Sequence, residues 1–228
     1  MLFERYEDPF PYLIVRDFFD EDHFDYLHTL IDTSEFKTDP KFNKHVQTIS
    51  MIPRTGKVDT KHDRSILKKN RRTSMLEPTS ALLDIITSYE PFLFHMLREL
   101  APERKLEDII CSSLDIQTVK PGYLFGAHTD ALSKWLSVVV YTKEKNIGTL
   151  VGTGPVGQVR EDGHEEGGRQ KAFLVDEREI EWVSNTAFVF AGGVPREGVP
   201  ECWHAFKANP ETDKYRTTFN FNLIGDHE

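Results

Sequence analysis

Three short motifs in the chain place a histidine and an acid two residues apart, and they begin at His23, His128 and His164. An imidazole nitrogen and a carboxylate oxygen are both ligands of transition metals, so the chemistry that these motifs could carry is metal binding. With 9 histidines and 37 acids in 228 residues, about one or two such motifs are expected by chance. The surrounding sequence must therefore decide between them.

The context argues against the first and third motifs. His23 and Asp25 lie in a predicted helix, where residues two apart point about 200° away from each other. His164 lies in the glycine-rich segment 152–170, which offers no rigid platform for a ligand. We expect neither motif to form a joint metal site, while a solvated His164 could still contact a substrate.

The second motif has a better context, because His128 and Asp130 precede the apolar run 135–141. At the end of a strand, residues two apart point to the same side, so both side chains could converge on one ion. His204 is the best candidate for a third ligand, since it lies 76 residues after His128 in another predicted strand. Two imidazoles and one carboxylate on one face of a metal suit non-haem Fe(II) enzymes, which need open positions. The alternative is a surface turn with chance spacing.

Arg216 lies at the start of a clear alternating strand over 215–222, 12 residues after His204. An arginine that enters an apolar strand usually meets a carboxylate, because burying an unpaired charge is costly. Thr218 shares its face of the strand, so a guanidinium and a hydroxyl could grip one carboxylate of a diacid. The alternative is a structural ion pair between Arg216 and one of the chain's own acids.

Taken together, these residues resemble the Fe(II)/2-oxoglutarate-dependent dioxygenases, and in particular their prolyl-4-hydroxylase-like branch. The specific motifs of the resemblance lie within 122–223. They are His128-Thr129-Asp130, the run 135–141, Trp203-His204 and Arg216-Thr217-Thr218.

The resemblance implies an α+β fold in which N-terminal helices support a double-stranded β-helix (jelly-roll, cupin-like) core. It implies Fe(II) as the metal and 2-oxoglutarate as the cosubstrate, whose distal carboxylate meets the arginine and the threonine. It assigns no catalytic residue beyond the metal centre, and it leaves open which of two tyrosines contacts the cosubstrate. The implied metal ligands are His128, Asp130 and His204, and the implied cosubstrate-binding residues are Arg216, Thr218, Tyr141 and Tyr123.

The implied activity is hydroxylation of a C–H bond with O2 and 2-oxoglutarate, which releases succinate and CO2 and allows ascorbate a supporting role. The substrate would be a prolyl residue in a peptide or protein, a free amino acid, or another small molecule. Two other interpretations stay open. One is a non-oxidative cupin-like jelly roll that binds metal or sugar. The other, ranked lower, is a nucleic-acid base-repair dioxygenase, which needs a basic, aromatic-lined groove.

The chain departs from the family pattern in two places. The gap between His204 and Arg216 is longer than is usual in prolyl hydroxylases, and a longer hairpin that turns at Asn209-Pro210 would explain it. Lys134 stands beside the tryptophan of the following strand, near which relatives often carry a basic residue. These departures concern the substrate more than the chemistry.

The composition excludes several classes of protein. A net charge of −9, from 28 Lys and Arg against 37 Asp and Glu, disfavours nucleic-acid binding over the whole surface. Two cysteines, Cys111 and Cys202, are too few for a disulfide scaffold and indicate a reducing compartment. Cys202 is expected to be a small buried residue rather than a ligand. With no apolar run of membrane-spanning length and acids near the N-terminus, a cytoplasmic protein is expected that contacts no membrane.

The elements that must position these residues follow from the apolar spacing. A short strand is predicted within 9–16, a helix after Asp20, and helical structure over 79–100 that Pro91 is expected to divide. Beyond residue 108, short apolar or alternating runs indicate strands of a sandwich or barrel. These runs are 109–119, 135–141, 172–175, 180–183, 187–190, 203–206 and 217–224.

We expect one domain over 1–228, in which 1–107 supports a jelly-roll core over 108–228. Two polar segments are candidates for substrate specificity. The segment 54–72 has eight Lys or Arg and two Asp, and is either a solvated loop or a basic flap over an anionic partner. The segment 152–170 has six glycines and is expected to be a long exposed loop.

Overall fold

The computed structural model describes residues 2–33, 44–53, 73–75, 80–156, 173–192 and 196–226. The basic segment 54–72 and His164 lie outside the described residues, as does most of the glycine-rich segment 152–170.

Two α-helices precede most of the strands, namely α1 (Glu21–Thr33) and α2 (Ser80–Leu100). Asp20 caps α1, because its carboxylate accepts a hydrogen bond from the backbone N–H of His23 over 2.8 Å. Acids in the first turn further stabilise the positive end of the helix dipole. The predicted start of this helix is confirmed. Neither described helix is long and apolar enough to cross a membrane.

Helix α2 runs through Pro91 without interruption, so the predicted division there was wrong. A proline removes one backbone hydrogen bond and its ring crowds the preceding turn, which usually kinks or breaks a helix. Buried side chains from Leu82 to Leu100 lie on both sides of Pro91 and join one apolar cluster with the strands. Tertiary packing supplies most of the stability of a helix in a protein, and here it outweighs the local cost of the proline.

The strands of the N-terminal part are β1 (Phe3–Tyr6), β2 (Tyr12–Val15), β3 (Lys44–Pro53) and β4 (Thr73–Met75). A 3-10 turn at Leu106–Asp108 leads into the remaining strands. Those strands are β5 (Ile109–Val119), β6 (Leu124–His128), β7 (Lys134–Tyr141), β8 (Thr149–Val151), β9 (Pro155–Val156), β10 (Phe173–Leu174), β11 (Arg178–Glu179), β12 (Ala187–Phe190), β13 (His204–Lys207) and β14 (Arg216–Gly225).

The strand order is that of a jelly roll. A large sheet has the order β1-β2-β12-β7-β14-β5-β3-β4, and a small sheet has the order β11-β8-β13-β6. From β5 onward the chain passes repeatedly between the two sheets, and the pairs within each are antiparallel. The two sheets form a double-stranded β-helix that does not close into a barrel, and the expected α+β fold with a jelly-roll core is confirmed.

Alternation along each strand of the large sheet separates two environments. In β14, Phe219 and Phe221 join the buried cluster that contains the apolar side chains of both helices. In β7, Tyr141 belongs instead to a second cluster that includes Val151 of the small sheet and Trp182. Because residues two apart share a face, the helices cover one face of the large sheet and the space between the sheets lies on the other.

Two predicted features after residue 150 were wrong. The predicted strand at 180–183 is absent, and Ile180 and Trp182 instead follow β11 as buried side chains of the cluster between the sheets. Burial without ladder pairing gives the same apolar pattern as a short strand. The segment 152–170 is not a loop throughout, because Pro155–Val156 form β9, which pairs with β10.

Replacing Pro91 with Ala tests the continuity of α2. Pro91→Ala restores a backbone donor at an exposed position, and we expect the free energy of unfolding to rise by about 1–2 kcal/mol. Thr87→Ala, on the same exposed face, is the matched control and is expected to add only about 0.5 kcal/mol from helix propensity. The measurement is urea unfolding followed by circular dichroism. A loss of stability in Pro91→Ala would contradict the continuous helix.

Candidate metal centre and anion site

The two histidines of the site are placed side by side by strand pairing. His128 is the last residue of β6 and His204 is the first residue of β13. These strands are antiparallel neighbours, and the two histidines are partners in the register. Their ring centroids lie 4.2 Å apart. The fold thus brings together two imidazoles that are distant in the sequence.

Backbone carbonyl groups fix the orientation of both rings. Nδ1 of His128 lies 2.8 Å from the carbonyl oxygen of Gly126. Nδ1 of His204 lies 2.9 Å from the carbonyl oxygen of Cys202. A carbonyl only accepts, so each Nδ1 carries the hydrogen and each Nε2 is the nitrogen that can act as a metal ligand. This is the arrangement that metal-binding histidines use.

Asp130 completes the group from just beyond the end of β6. Its Oδ1 lies 4.0 Å from Nε2 of His204 and 3.6 Å from Nζ of Lys134. Its Oδ2 accepts a hydrogen bond from the Ser137 hydroxyl over 2.5 Å. The potential ligand atoms of Asp130, His128 and His204 all lie within 4.8 Å of one another, a spacing that fits a single ion. The donor set is therefore suited to a metal.

The surroundings keep the carboxyl group of Asp130 ionised. Burial by itself would raise its pKa, but Lys134, His204 and His128, together with the Ser137 hydroxyl, outweigh burial and hold the pKa below its ordinary value. A carboxylate that stays deprotonated is available as a ligand.

The structure sorts the three histidine motifs. Among the described residues, only the motif at His128 contributes to a group that could hold a metal ion. His23 pairs with Asp20 across 2.6 Å, and Asp25 pairs with Lys143 across 2.5 Å, so the side chains of that motif do not converge.

Arg216 is buried between the two sheets, with 1% of its surface exposed. Its Nε donates to the carbonyl oxygen of Ile147 over 3.0 Å, and one terminal nitrogen lies 3.5 Å from the hydroxyl of Thr149. The rings of Phe206 and Trp182 lie 5.0 and 5.3 Å from its guanidinium carbon. Aromatic faces stabilise a cation, but they do not neutralise it.

No carboxylate among the described residues forms an ion pair with Arg216. Burial lowers the pKa of its guanidinium to about 10, against smaller opposing effects of Tyr141 and Glu179. The group is therefore still charged at neutral pH. A buried cation without an anion is costly, so this part of the fold suits an anionic ligand.

Two hydroxyl groups lie in the same region as Arg216. Tyr141 is fully buried, and its oxygen accepts a hydrogen bond from the backbone N–H of Thr149 over 3.0 Å. Thr218 is the register partner of Tyr141 and is also fully buried, and its hydroxyl has no hydrogen-bond partner among the described residues. Thr149 contacts both Tyr141 and Arg216, because its backbone N–H donates to Tyr141 and its hydroxyl lies near the guanidinium of Arg216. Each hydroxyl can still donate one hydrogen bond to an anion.

Tyr123 is placed less directly. It is buried in a small cluster with Val119 and Phe206, and its ring centroid lies 6.2 Å from that of Phe206. The Phe206 ring also approaches Arg216, so Tyr123 contacts a wall of the anion site. Tyr141 shares the hydrogen-bonded group of Arg216, which favours it as the tyrosine that contacts a ligand there.

Sequence reasoning missed two residues of the site, Ser137 and Asn220. Asn220 lies two residues after Thr218 on β14, and its buried amide oxygen has no hydrogen-bond partner in the part of the chain that the structure describes. The alternation Thr218-Phe219-Asn220-Phe221-Asn222 could have indicated Asn220, because in a strand it gives one apolar face and one polar face that Asn220 shares with Thr218.

The long connection between His204 and Arg216 contains the predicted turn. A turn follows Asn209, whose side-chain oxygen accepts a hydrogen bond from the backbone N–H of Glu211 over 2.9 Å. Asparagine commonly closes turns in this way. The additional residues lie at this turn, beyond the end of β13, so they do not displace His204 from β6.

Comparison with known proteins gives structural matches only, since no protein-family model and no curated protein matches the chain. One similar structure is a prolyl-4-hydroxylase from Pseudomonas putida, with 13% identity, 97% of this chain and 96% of that chain covered, and a TM-score of 0.47. Another is a viral collagen prolyl hydroxylase from Paramecium Bursaria Chlorella virus-1 in a 2-oxoglutarate complex, with 12% identity, coverages of 95% and 96%, and a TM-score of 0.48.

A third similar structure is SnoN, a non-haem α-ketoglutarate-dependent epimerase from nogalamycin biosynthesis, with 10% identity, coverages of 96% and 78%, and a TM-score of 0.48. These proteins include both hydroxylases and an epimerase. At such low identity the activity of this chain has to be inferred from the residues of its own site.

Cys202 is a buried residue beside the site, as expected. Its thiol donates to the carbonyl oxygen of Ala191 over 3.0 Å, and it is not part of the group that could hold a metal. Burial raises the pKa of this thiol to about 12. The thiolate, which is the reactive form, is therefore scarce at pH 8.

This predicts slow alkylation of Cys202 in the folded protein. In a Cys111→Ser background at pH 8, we expect iodoacetamide to modify Cys202 at least about 100-fold more slowly than after unfolding in urea. The rate is followed by intact-protein mass spectrometry. Equal rates in the folded and unfolded protein would show that the thiol is accessible and ionised.

Proposed function

We propose that the protein is an Fe(II)- and 2-oxoglutarate-dependent oxygenase that hydroxylates a C–H bond and releases succinate and CO2. One observation carries the proposal: a group of two histidines and an aspartate shares the jelly roll with Arg216, a buried cation that has no carboxylate partner among the described residues. A metal site alone needs no buried cation, but a metal site that binds a diacid does.

The proposed metal ligands are Nε2 of His128, Nε2 of His204 and a carboxylate oxygen of Asp130. Two neutral imidazoles and one carboxylate suit Fe(II) and leave positions for further ligands. When bound, Fe(II) with 2-oxoglutarate supplies the oxygen activation that hydroxylation requires. The protein supplies the geometry, through backbone bonds that orient each imidazole and a hydroxyl that holds the aspartate.

The proposed role of Arg216 is to bind the distal carboxylate of 2-oxoglutarate. Its surroundings are dry, because Tyr141, Phe206 and Trp182 are all buried, and exclusion of water strengthens the attraction between the guanidinium and an anion. Thr218 and Tyr141 each offer a hydroxyl donor to the same carboxylate.

The strand register supports a cosubstrate that reaches from the proposed anchor to the proposed metal ligands. Tyr141 pairs with Thr218, and Ser137, which contacts Asp130, pairs with Asn222. The two levels are four residues apart along β7, or about 13 Å. The Arg216 side chain and an extended diacid together can span this separation. Asn220 lies between the levels, where its amide could contact the bound cosubstrate.

The proposed substrate is a prolyl residue of a peptide or protein, or an amino acid, as the resemblance to prolyl hydroxylases implies. One of the two other interpretations is a cupin-like jelly roll that binds metal or sugar without oxidation. It shares the histidines and Asp130 but gives no reason for a buried Arg216 that has no carboxylate partner among the described residues.

Anaerobic absorption spectroscopy of the metal-free protein tests the proposal. Adding Fe(II) and 2-oxoglutarate is expected to give the weak visible charge-transfer band of a chelate. His204→Ala, which removes a ligand, is expected to give no band. A folded parent protein without a band would favour the non-oxidative jelly roll.

Loss of Arg216 should weaken binding of the cosubstrate without weakening binding of the metal. We expect Arg216→Ala to weaken 2-oxoglutarate binding about 100-fold or more while leaving metal binding intact, because it removes the cation that meets the carboxylate. Arg216→Lys, which keeps the charge but not the planar fork, should be intermediate. Calorimetric titration of 2-oxoglutarate into the Ni(II)-loaded protein measures the affinity of the parent and of both variants. An unchanged affinity in Arg216→Ala would refute this anchor.

The two tyrosines can be distinguished in the same titration. Loss of the Tyr141 hydroxyl removes one hydrogen bond to the bound carboxylate, so Tyr141→Phe should weaken 2-oxoglutarate binding by about 3- to 10-fold. Tyr123→Phe is the matched control and should leave the affinity within about twofold of the parent. The reverse order would assign the contact to Tyr123.

A further inference from the structure

Asp130 is the member of the metal group that no strand holds in place. It lies two residues beyond the end of β6, and a turn follows it in which the backbone N–H of Lys134 donates to the carbonyl oxygen of Ala131 over 2.8 Å. Rotation about the bond to its carboxyl group is soft and nearly two-fold. Either oxygen could therefore face the histidines unless another group distinguishes them.

The side chain of Ser137 makes that distinction. Ser137 is buried in β7, and its hydroxyl donates to Oδ2 of Asp130, while Oδ1 is the oxygen nearest Nε2 of His204. The backbone at Gly192 is also close, because a Cβ there would lie 3.2 Å from the Cβ of Asp130. The aspartate side chain is thus confined by Gly192 and oriented by Ser137.

Lys134 competes with the histidines for the carboxylate of Asp130. Its ammonium group lies 3.6 Å from Oδ1, the same oxygen that faces His204. If the carboxylate of Asp130 were free to rotate, either of its oxygens could turn toward the ammonium group of Lys134 and away from His204. The Ser137 hydrogen bond, from a rigid strand, opposes that rotation because a charge-assisted hydrogen bond is stronger than a neutral one.

We infer that Ser137 is a positioning residue of the metal centre: by holding Oδ2 of Asp130, it presents Oδ1 as a single ligand oxygen to the metal. The inference rests on the proposed function only for the presence of a metal at His128, Asp130 and His204. It does not require 2-oxoglutarate or oxidation.

Metal titration of the full chain tests the inference without relying on activity. The probe is Co(II), whose visible absorption reports both binding and coordination geometry. Ser137→Ala is expected to bind Co(II) about 10- to 100-fold more weakly than the parent, the loss that is typical when an outer partner of a ligand is removed. Its Co(II) spectrum should also change, because Asp130 can bind through either oxygen or both.

The chain offers a matched control in Ser112. Ser112 is also a buried serine of the large sheet, and its hydroxyl donates to a carboxylate oxygen of Glu90 over 2.6 Å. Ser112→Ala loses a comparable hydrogen bond away from the metal group, so it should lower stability but bind Co(II) within about threefold of the parent. Ser137→Thr keeps the hydroxyl and should restore both affinity and spectrum.

Three results would overturn the inference. One is a folded Ser137→Ala that binds Co(II) as the parent does with an unchanged spectrum. Another is an equal loss of affinity in Ser112→Ala, which would indicate general loosening of the sheet. The third is a folded Ser137→Thr that fails to recover. A parent that binds Co(II) but shows no Fe(II)–2-oxoglutarate band would refute the proposed function alone, and the Ser137 comparison would still decide this inference.

Discussion

The antiparallel pairing of β13 with β6 is the constraint on which the site depends. It makes His128 and His204 register partners, and it does so between residues that the sequence separates by most of the jelly roll. β13 is also held by β8 on its other side, so the position of His204 is fixed by two neighbours in the small sheet. The orientation of each imidazole then needs only one backbone carbonyl. A metal group built this way is as rigid as the sheet that carries it.

The large sheet carries the buried cation of the site, Arg216, at the start of β14. There Arg216 pairs with Val119 of β5, and only 1% of its surface is exposed to water. Its charge is met by ring faces, one carbonyl and one distant hydroxyl, and by no described carboxylate. Such an arrangement is unfavourable when empty and becomes favourable when an anion enters, which is how a site acquires preference for one charge of ligand.

The chemistry-bearing residues were accessible from the sequence because strand alternation and residue type are local. His128, Asp130, His204 and Arg216 could be proposed from short patterns and their context. The rhythm of the strands predicted a sandwich or barrel, and the resemblance to the dioxygenases implied the jelly roll. Features that depend on tertiary packing were not accessible. The continuity of α2 through Pro91 is set by the cluster beneath the helix, and Ser137 acquires its role only because the turn after β6 folds Asp130 back over β7. The sequence around a serine in an apolar strand does not indicate which residue its hydroxyl will bond.

The unpartnered polar atoms of the inner face link function to stability. The hydroxyl of Thr218 and the amide oxygen of Asn220 are buried and have no hydrogen-bond partner among the described residues, on the face opposite Phe219 and Phe221. Each such atom costs free energy, because it has lost its hydrogen bonds to water without gaining one in the protein. Apolar residues on both faces of β14 would therefore make a more stable sheet, but one that is unable to bind a polar ligand. These polar atoms lie on the face of β14 that also carries Arg216, so a bound polar ligand could complete their hydrogen bonds, as the proposed binding of a chelating diacid requires.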